Sequence, residues 1–155
     1  MRNANKKKRP TLEFIEMDAL NMSFENDSFN VIIDKGTLDA MMPDDAEFTL
    51  EKINKYFAEI QRVMATGGRY ICVSLLQEHI LQKISEYFPL NNWFLRVIRC
   101  HCIEKKATDS GENSLPVFLI VCTKFNNLPT KVLYNGDNIR SLIKIGFRGG
   151  FKCGW

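Results

Sequence analysis

Three features of the sequence predict an α/β fold in which a mostly parallel sheet ends in an antiparallel hairpin. Residues 29–33 form an almost wholly apolar, β-branched run, which is typical of a strand buried on both faces of a parallel sheet. Segments with helical periodicity alternate with such runs, as they do in proteins with parallel sheets. Two longer strand-like runs, 93–103 and 115–125, then follow one another with a polar segment between them.

The first part of the chain predicts two strands before any helix. Residues 12–17 (LEFIEM) form a short apolar segment of strand character that ends at Asp18. Residues 23–28 are polar and predict a loop. The strand over 29–33 then ends at Asp34. We therefore expect two carboxylates, each directly after a strand.

A helix is predicted after Pro43, with Asp44 or Asp45 as its N-cap. Gly67 and Gly68 predict its end, because a glycine adopts the left-handed conformation of a helix C-cap without strain. Apolar residues recur between these points at spacings of three and four, which places them on one helical face: Leu50, Ile53, Phe57, Ile60 and Met64.

The second part of the chain predicts a strand, a helix and a hairpin. Residues 70–76 (YICVSLL) are a second apolar strand, and residues 77–88 have the periodicity of a second helix. The runs 93–103 and 115–125 are expected to pair antiparallel, because Asp-Ser-Gly at 109–111 is a turn sequence.

Composition and charge indicate one globular domain. Of 155 residues, 45% are hydrophobic and 25% are charged, which are ordinary values for a folded chain. No apolar run approaches the roughly 20 residues that span a bilayer, so no membrane partner is expected. We expect a domain over 11–128, between a basic, disordered N-terminus (1–10) and a glycine-rich, poorly ordered tail (129–155). No nucleic-acid partner is expected, because the basic N-terminus has no aromatic residue to stack on bases.

The cysteines and histidines favour a reducing compartment and argue against a metal site. Five cysteines are an odd number, and none are paired as C-x-x-C, so we expect free thiols and a cytoplasmic location. Two histidines leave little room for a histidine-rich metal centre. Cys100 and His101 are adjacent on a strand and should point to opposite faces, which argues against a reactive Cys–His pair.

The sequence lacks the loops by which many proteins bind nucleotides. No glycine precedes Gly36, so no G-x-G turn follows the first predicted strands. A P-loop is also absent, which excludes P-loop kinases and ATPases, and Ser74 has no G-x-S-x-G elbow around it. The chemistry is therefore expected at the carboxyl ends of the strands, where open α/β sheets bind their ligands. Asp18 and Asp34 are the candidates there.

Three segments resemble class I S-adenosylmethionine-dependent methyltransferases. They are residues 29–40, which include D-K-G-T-L-D-A at 34–40, residues 62–74, and residues 115–118. The resemblance runs from Lys8 to Phe125 and is strongest to the domains that methylate lysines of translation elongation factor 1-alpha. It implies a Rossmann-like sheet of order 3-2-1-4-5-7-6 in which strand 7 is antiparallel.

On that scheme the chain lacks strands 1 and 2. Residues 12–17 correspond to strand 3 and residues 29–33 to strand 4, and the later runs correspond to strands 5 to 7. The glycine-rich cofactor loop after strand 1 and the ribose-binding acid of strand 2 would precede Met1. The resemblance therefore implies a truncated domain that binds S-adenosylmethionine weakly.

The resemblance also assigns site residues. Asp34 corresponds to the position beside the transferred methyl group and is the implied catalytic residue. Asp18 corresponds to the acid that contacts the adenine amino group, with Ala19 next to it. The structural alternative for Asp34 and Asp39 is the capping of a loop or helix. The implied cofactor-binding residues are Asp18, Ala19, Asp34, Lys35 and Gly36, the implied substrate-side residues are Leu38 and Asp39, and no metal is implied.

The implied function is methyl transfer from S-adenosylmethionine to a protein lysine, with translation elongation factor 1-alpha as the protein substrate. A non-catalytic, protein-binding fragment that keeps the substrate-facing half of the domain is the alternative. A nicotinamide-dependent Rossmann enzyme is a third reading, which D-K-G-T-L-D-A does not favour. We also expect self-association through an exposed sheet edge, because the strand over 29–33 lacks a neighbour on one side.

Overall fold

The protein is described by a computed structural model over residues 11–101 and 116–126. The elements within these residues are, in chain order, β1 Phe29–Lys35, α1 Thr37–Met41, α2 Glu47–Val63, β2 Met64–Ser74, α3 Glu78–Leu90, β3 Trp93–Arg99 and β4 Phe118–Lys124. The N-terminus over 1–10, the turn at 109–111 and the tail over 129–155 lie outside the described residues.

The four strands form one mixed sheet in the order β1-β2-β4-β3. β1 and β2 are parallel, whereas β4 is antiparallel to both of its neighbours. The expected antiparallel pairing of the last two strands is confirmed, and the order is the one that the resemblance implies for strands 4, 5, 7 and 6. The mostly parallel character of the sheet stays a prediction: β1, β2 and β3 run in the same direction, but only one of the three adjacent pairs in the described sheet is parallel. The reason is that β4 lies between β2 and β3 and runs against both.

Residues 12–17 do not form the strand that their apolar composition predicts. Leu12 and Ile15 are 46% and 58% exposed. A strand requires backbone hydrogen bonds to a neighbour, and within the described residues β1 pairs with β2 alone. The prediction was wrong because strand formation depends on pairing as well as on composition. The implied absence of family strands 1 and 2 stays a prediction.

The two glycines that were expected to end the first long helix lie instead inside β2. Helix α2 ends at Val63 and passes directly into β2. Gly67 has a φ of +80°, and the register of β2 with β1 shifts at the same place, which marks a bulge. A Cβ on Gly68 would collide with Sδ of Met64 and would lie 2.7 Å from O of Ala65. The glycines therefore serve a bulge and not a helix cap.

The long helices otherwise follow the periodicity of the sequence. Helix α3 continues through Pro89, which lies in its last turn. Helix α2 has Ala46 as its N-cap, and the expected cap Asp44 lies two residues earlier. Oδ1 of Asp44 accepts hydrogen bonds from Oγ1 of Thr49 (2.7 Å) and from N of Ala46 (3.2 Å), and these bonds lower the pKa of Asp44. Among the described residues, no helix is long and apolar enough to span a bilayer.

Helices α2 and α3 pack on one face of the sheet. On β1 the side chains of Ile32 and Asp34 point to that face. Val31 and Ile33 point to the opposite face and are 49% and 71% exposed. The strand is therefore buried on one face and not on both as expected, because the described helices cover one side of the sheet. The core between helices and sheet contains Ile53, Phe57, Ile60, Tyr70, Ile84, Phe88, Trp93 and Ile120.

The segment that leads into β1 is fixed against α2 by an ion pair. Nε of Arg62 lies 2.8 Å from Oε1 of Glu59. The same two side chains bind the backbone of the segment: Oε2 of Glu59 accepts from N of Met22 (2.7 Å), and Arg62 donates to O of Met22 and O of Phe24 (2.7 Å each). The hydrogen bond from Arg62 lowers the pKa of Glu59. Residues 18–28 are thereby held in place although residues 11–17, the part of the preceding chain that the structure describes, contain no strand.

Candidate functional site

The parallel pair β1 and β2 brings two chain turns together at the carboxyl edge of the sheet. Asp34 lies opposite Cys72 near the end of the pair. After β1 the chain turns through Gly36, which has a φ of +75° and donates from its N to O of Val73 (3.2 Å). After β2 the chain turns through Leu76, which has a φ of +51°. A residue with a Cβ rarely adopts this conformation, and such strain is often found at functional sites.

Asp34 is the most heavily hydrogen-bonded side chain at this edge. Its side chain is buried, with the residue 3% exposed. Oδ1 accepts from N of Thr37 (2.8 Å), and N of Leu38 lies 3.2 Å from Oδ2. Oδ2 also accepts from the hydroxyl groups of Tyr56 and Tyr70, at 2.8 Å each. Both carboxylate oxygens are therefore engaged, and the side chain joins the start of α1 to α2 and β2.

The groups around the Asp34 carboxylate are neutral at neutral pH. Burial raises the pKa of Tyr56 and of Tyr70 well above 10, and the negative charge of Asp34 raises both further. Burial, with the same charge, raises the pKa of Cys72 to about 12. Cys72 is therefore a thiol that donates weakly and not a nucleophilic thiolate.

Asp39 joins α1 to the turn that follows β2. Its Oδ1 accepts from the hydroxyl of Ser74 (2.9 Å) and from N of Leu75 (3.2 Å). Oγ of Ser74 in turn accepts from N of Leu76 (2.8 Å). The side chain of Asp39 is half-buried. Asp39, which the resemblance assigns to the substrate side, therefore also holds the turn after β2 in place.

Asp18 and Ala19 are held by a local turn and by packing against the core. Asp18 is exposed, and its Oδ1 accepts from N of Leu20 (2.9 Å), which closes a turn. Ala19 packs against the core together with Leu20 and Met22. Within the described residues, no hydrogen bond joins either residue to the turn between β1 and α1. The structure thus places Asp18 in an exposed turn and Ala19 against the core, while their implied contact with adenine stays a prediction.

The remaining implied residues differ widely in exposure. Lys35 is exposed at the end of β1, and Gly36 is half-buried. A Cβ added to Gly36 would meet no atom within 4 Å, so open space adjoins this turn. Leu38 is fully buried in the core. This burial favours a packing role over the substrate-side role that the resemblance implies, which stays a prediction.

The tyrosines that bind Asp34 were not expected from the sequence. Tyr56 follows Ile53 by three residues and precedes Ile60 by four, which places it on the inward face of α2. Tyr70 shares the inward face of β2 with Cys72. A polar group on an apolar face needs a partner, and a strand-terminal carboxylate was the available one. That signal was present in the periodicity.

A metal site is not among the features of this edge. Within residues 11–101 and 116–126, no group of three or more His, Cys, Asp or Glu side chains is arranged to hold a metal ion. The arrangement can orient a reacting group, and it offers a buried negative charge close to the open space beside Gly36.

Comparison with known proteins identifies the family. A family described as "Methyltransferase domain" matches residues 1–134. The eEF1A lysine and N-terminal methyltransferase homolog of Drosophila melanogaster is 44% identical over 139 residues, which cover 88% of this chain and 21% of that protein. The human eEF1A lysine and N-terminal methyltransferase is 40% identical over 134 residues, which cover 86% of this chain and 19% of that protein. The chain thus spans about a fifth of the length of these relatives.

Two solved structures are also similar. The PH0226 protein from Pyrococcus horikoshii has a TM-score of 0.48 at 18% identity, over 79% of this chain and 64% of that chain. A SAM-dependent methyltransferase from Methanosarcina mazei has a TM-score of 0.43 at 16% identity, over 71% and 66%. The assignment rests on the sequence matches. Because the family covers residues 1–134, the resemblance to methyltransferases is confirmed, and the chain belongs to the methyltransferase domain family.

Proposed function

We propose that this domain transfers a methyl group from S-adenosylmethionine to a lysine of translation elongation factor 1-alpha. The observation that carries the proposal is the identity of 40–44% to the eEF1A lysine and N-terminal methyltransferases over most of the chain. The relatives are several times longer than this chain, so the substrate is inferred from their likeness to it. The turn at 34–40, which gives the family resemblance, lies at the edge of the sheet where α/β enzymes bind ligands.

The residues of the carboxyl edge fit the needs of such a cofactor. When bound, S-adenosylmethionine supplies a methyl group on a good leaving group, so the task of the protein is mainly to position the acceptor amine. The exposed carboxylate of Asp18 can accept a hydrogen bond from an adenine amino group, with Ala19 beside it. Gly36 leaves open space where a side chain would stand. We assign these residues, with Lys35, to the cofactor side.

In this proposal, Asp34 acts at the end of the site where the methyl group is transferred. Its carboxylate accepts hydrogen bonds from four residues and is buried, so it acts through the turn that it caps and through its charge. An amine that accepts a methyl group becomes an ammonium, and a fixed negative charge nearby stabilises that product. Neutral donors around the carboxylate hold it in place without cancelling its charge.

A cytoplasmic location fits the thiols of the chain. Cys72 and Cys122 are free cysteines. Burial raises the pKa of Cys72 and of Cys122, so both stay protonated. Free thiols are usual in a reducing compartment, where the proposed substrate would also be found.

Cofactor binding by the 155-residue polypeptide should be weak. Its sequence has no glycine before Gly36 and therefore no G-x-G cofactor loop after an early strand. The resemblance also implies that the carboxylate that binds the ribose is missing from this polypeptide. The charged hydrogen bonds of such a carboxylate alone contribute about 1.5–3 kcal/mol, so their loss should lower the affinity roughly tenfold or more. Isothermal titration calorimetry with S-adenosylhomocysteine measures this affinity. A dissociation constant of about 1 μM would show that the cofactor site is placed wrongly.

A fusion protein provides the matched comparison. In it, residues 1–155 replace the matched region of the Drosophila melanogaster relative, so that the rest of that protein is retained. The fusion should bind S-adenosylhomocysteine more tightly than the 155-residue polypeptide and should methylate elongation factor 1-alpha, as detected by mass spectrometry. A fusion that binds elongation factor 1-alpha and the cofactor without methyl transfer would favour the protein-binding alternative.

In the fusion protein, Asp34 and Asp18 should affect different kinetic quantities. Asp34→Ala should lower kcat more than it weakens cofactor binding, because the residue is assigned to the part of the site where the methyl group is transferred. Asp18→Ala should weaken cofactor binding more than it lowers kcat, because the residue is assigned to adenine. Asp34→Asn keeps one acceptor oxygen, replaces the other with a donating amide nitrogen and removes the charge, so it guards against an effect that comes only from unfolding of Asp34→Ala. Equal effects of the changes at both positions on cofactor affinity would contradict the assignment.

The 155-residue polypeptide should also self-associate through the edge and outer face of β1. Val31 and Ile33 are exposed there, and exposed apolar strand edges promote pairing between chains. Size-exclusion chromatography with light scattering should show oligomers that Ile33→Lys reduces. Phe48→Lys is the control, since Phe48 is 78% exposed on α2. A monodisperse monomer before any substitution would refute this expectation.

A further inference from the structure

We propose that Asp39 and Ser74 are positioning residues, which hold the turn after β2 in its left-handed conformation and so place the acceptor side of the methyl-transfer site. The catalytic part of this inference rests on the proposed function. Its structural part concerns the 155-residue polypeptide alone and can be tested separately.

The turn after β2 has a conformation that needs support. Leu76 has a φ of +51° and is 4% exposed, so a side chain with a Cβ is buried in the left-handed region. Such a residue persists only where surrounding contacts determine its conformation. The contact that does so is the hydrogen bond from N of Leu76 to Oγ of Ser74 (2.8 Å).

Asp39 fixes the hydroxyl on which that turn depends. Because Oγ of Ser74 donates its proton to Oδ1 of Asp39 (2.9 Å), its lone pairs are directed to N of Leu76. The same Oδ1 accepts from N of Leu75 (3.2 Å). One carboxylate oxygen on α1 thus organises three consecutive residues of the turn after β2. Ser74 is 3% exposed, so water does not readily replace these bonds.

Two further contacts make the turns after β1 and β2 a single unit. N of Gly36 donates to O of Val73 (3.2 Å) at one end of α1. At the other end, a ring N–H at Nε2 of His79, in α3, donates to O of Met42 (2.9 Å). Helix α1 is therefore bound at its start to β2, in its middle to the turn after β2 and at its end to α3. A change at Asp39 should displace both turns together.

Positioning and direct contact with substrate make different demands on Asp39. A residue that contacts the acceptor amine needs its negative charge. A residue that orients Ser74 needs only an acceptor oxygen at the position of Oδ1, which an asparagine also supplies. Asp39→Asn therefore separates the two roles, with Asp39→Ala as the variant that removes both charge and acceptor. Ser74→Thr, which keeps the hydroxyl, is the corresponding conservative variant for Ser74→Ala.

Amide hydrogen exchange of the 155-residue polypeptide tests the structural part. Ser74→Ala should accelerate exchange at N of Leu76 by roughly tenfold or more, while amides of β3 and β4 are unaffected. Thr66→Ala is the control, because it removes an exposed hydrogen bond between the side chains of Thr66 and Asn126. Unchanged exchange at Leu76 in Ser74→Ala would overturn the inference, whatever the activity of the domain.

Methyl transfer by the fusion protein tests the catalytic part. Asp39→Ala and Ser74→Ala should each lower kcat by roughly tenfold to a hundredfold, since a small displacement of a reacting group has effects of that size. The KM for S-adenosylmethionine should change by less than about twofold. The double variant should be no worse than the worse single variant, because both residues act through one contact. Asp39→Asn and Ser74→Thr should recover most of the activity.

Each outcome bears on one claim. If Asp39→Asn is as inactive as Asp39→Ala, Asp39 acts by its charge on the substrate and the positioning role is overturned. If all variants keep full kcat, the turn after β2 has no part in catalysis and the inference also fails. A fusion protein without activity before any substitution refutes the proposed function instead, and the exchange measurement then decides the structural part alone.

Discussion

A buried carboxylate at the end of β1 determines how the carboxyl edge of this sheet is built. Asp34 has one oxygen directed to the start of α1 and the other to two tyrosine hydroxyls. A buried charge is costly unless hydrogen bonds satisfy it, and the loss of one such bond to a charged group costs about 1.5–3 kcal/mol. The five-residue helix α1 is too short to be stable alone. Its position therefore depends on Asp34 at its start and on Asp39 in its middle.

This arrangement suits a reaction that depends on positioning. The two turns at the carboxyl edge are bound to each other through α1, so that a group held by one is fixed relative to the other. Around Asp34, Tyr56 and Tyr70 have raised pKa values and stay neutral, which leaves the carboxylate as a fixed charge behind an open surface. Methyl transfer from a sulfonium to an amine needs these features more than it needs an acid or a base. The chain belongs to a methyltransferase family, and an amine as the acceptor is part of the proposed function.

The sequence predicted the elements whose signals are local. The helical faces of α2 and α3, the strands β1 and β2 and the antiparallel final pair follow from periodicity and β-branched composition. The strand over 12–17 failed because pairing is not a local property. Gly67 and Gly68 were misassigned because the same freedom at positive φ serves a helix cap and a bulge. Alternation along β1 fixes which residues share a face with Asp34, but it does not say which face the helices cover. For that reason the pairing of Asp34 with Tyr56 and Tyr70 emerged only from the structure, although periodicity already placed both tyrosines on inward faces.

The most direct test of the central role of Asp34 is amide hydrogen exchange at Thr37 and Leu38 in a variant that carries Tyr56→Phe and Tyr70→Phe. Both amides donate to the carboxylate that the two hydroxyls hold. The account predicts exchange at these amides roughly tenfold faster than in the unsubstituted chain, with no change in the pairing of β3 and β4. Tyr87→Phe is the control, because its hydroxyl reaches Oε1 of Gln61 and not Asp34. Equal protection of Thr37 and Leu38 with and without the two hydroxyls would contradict the account.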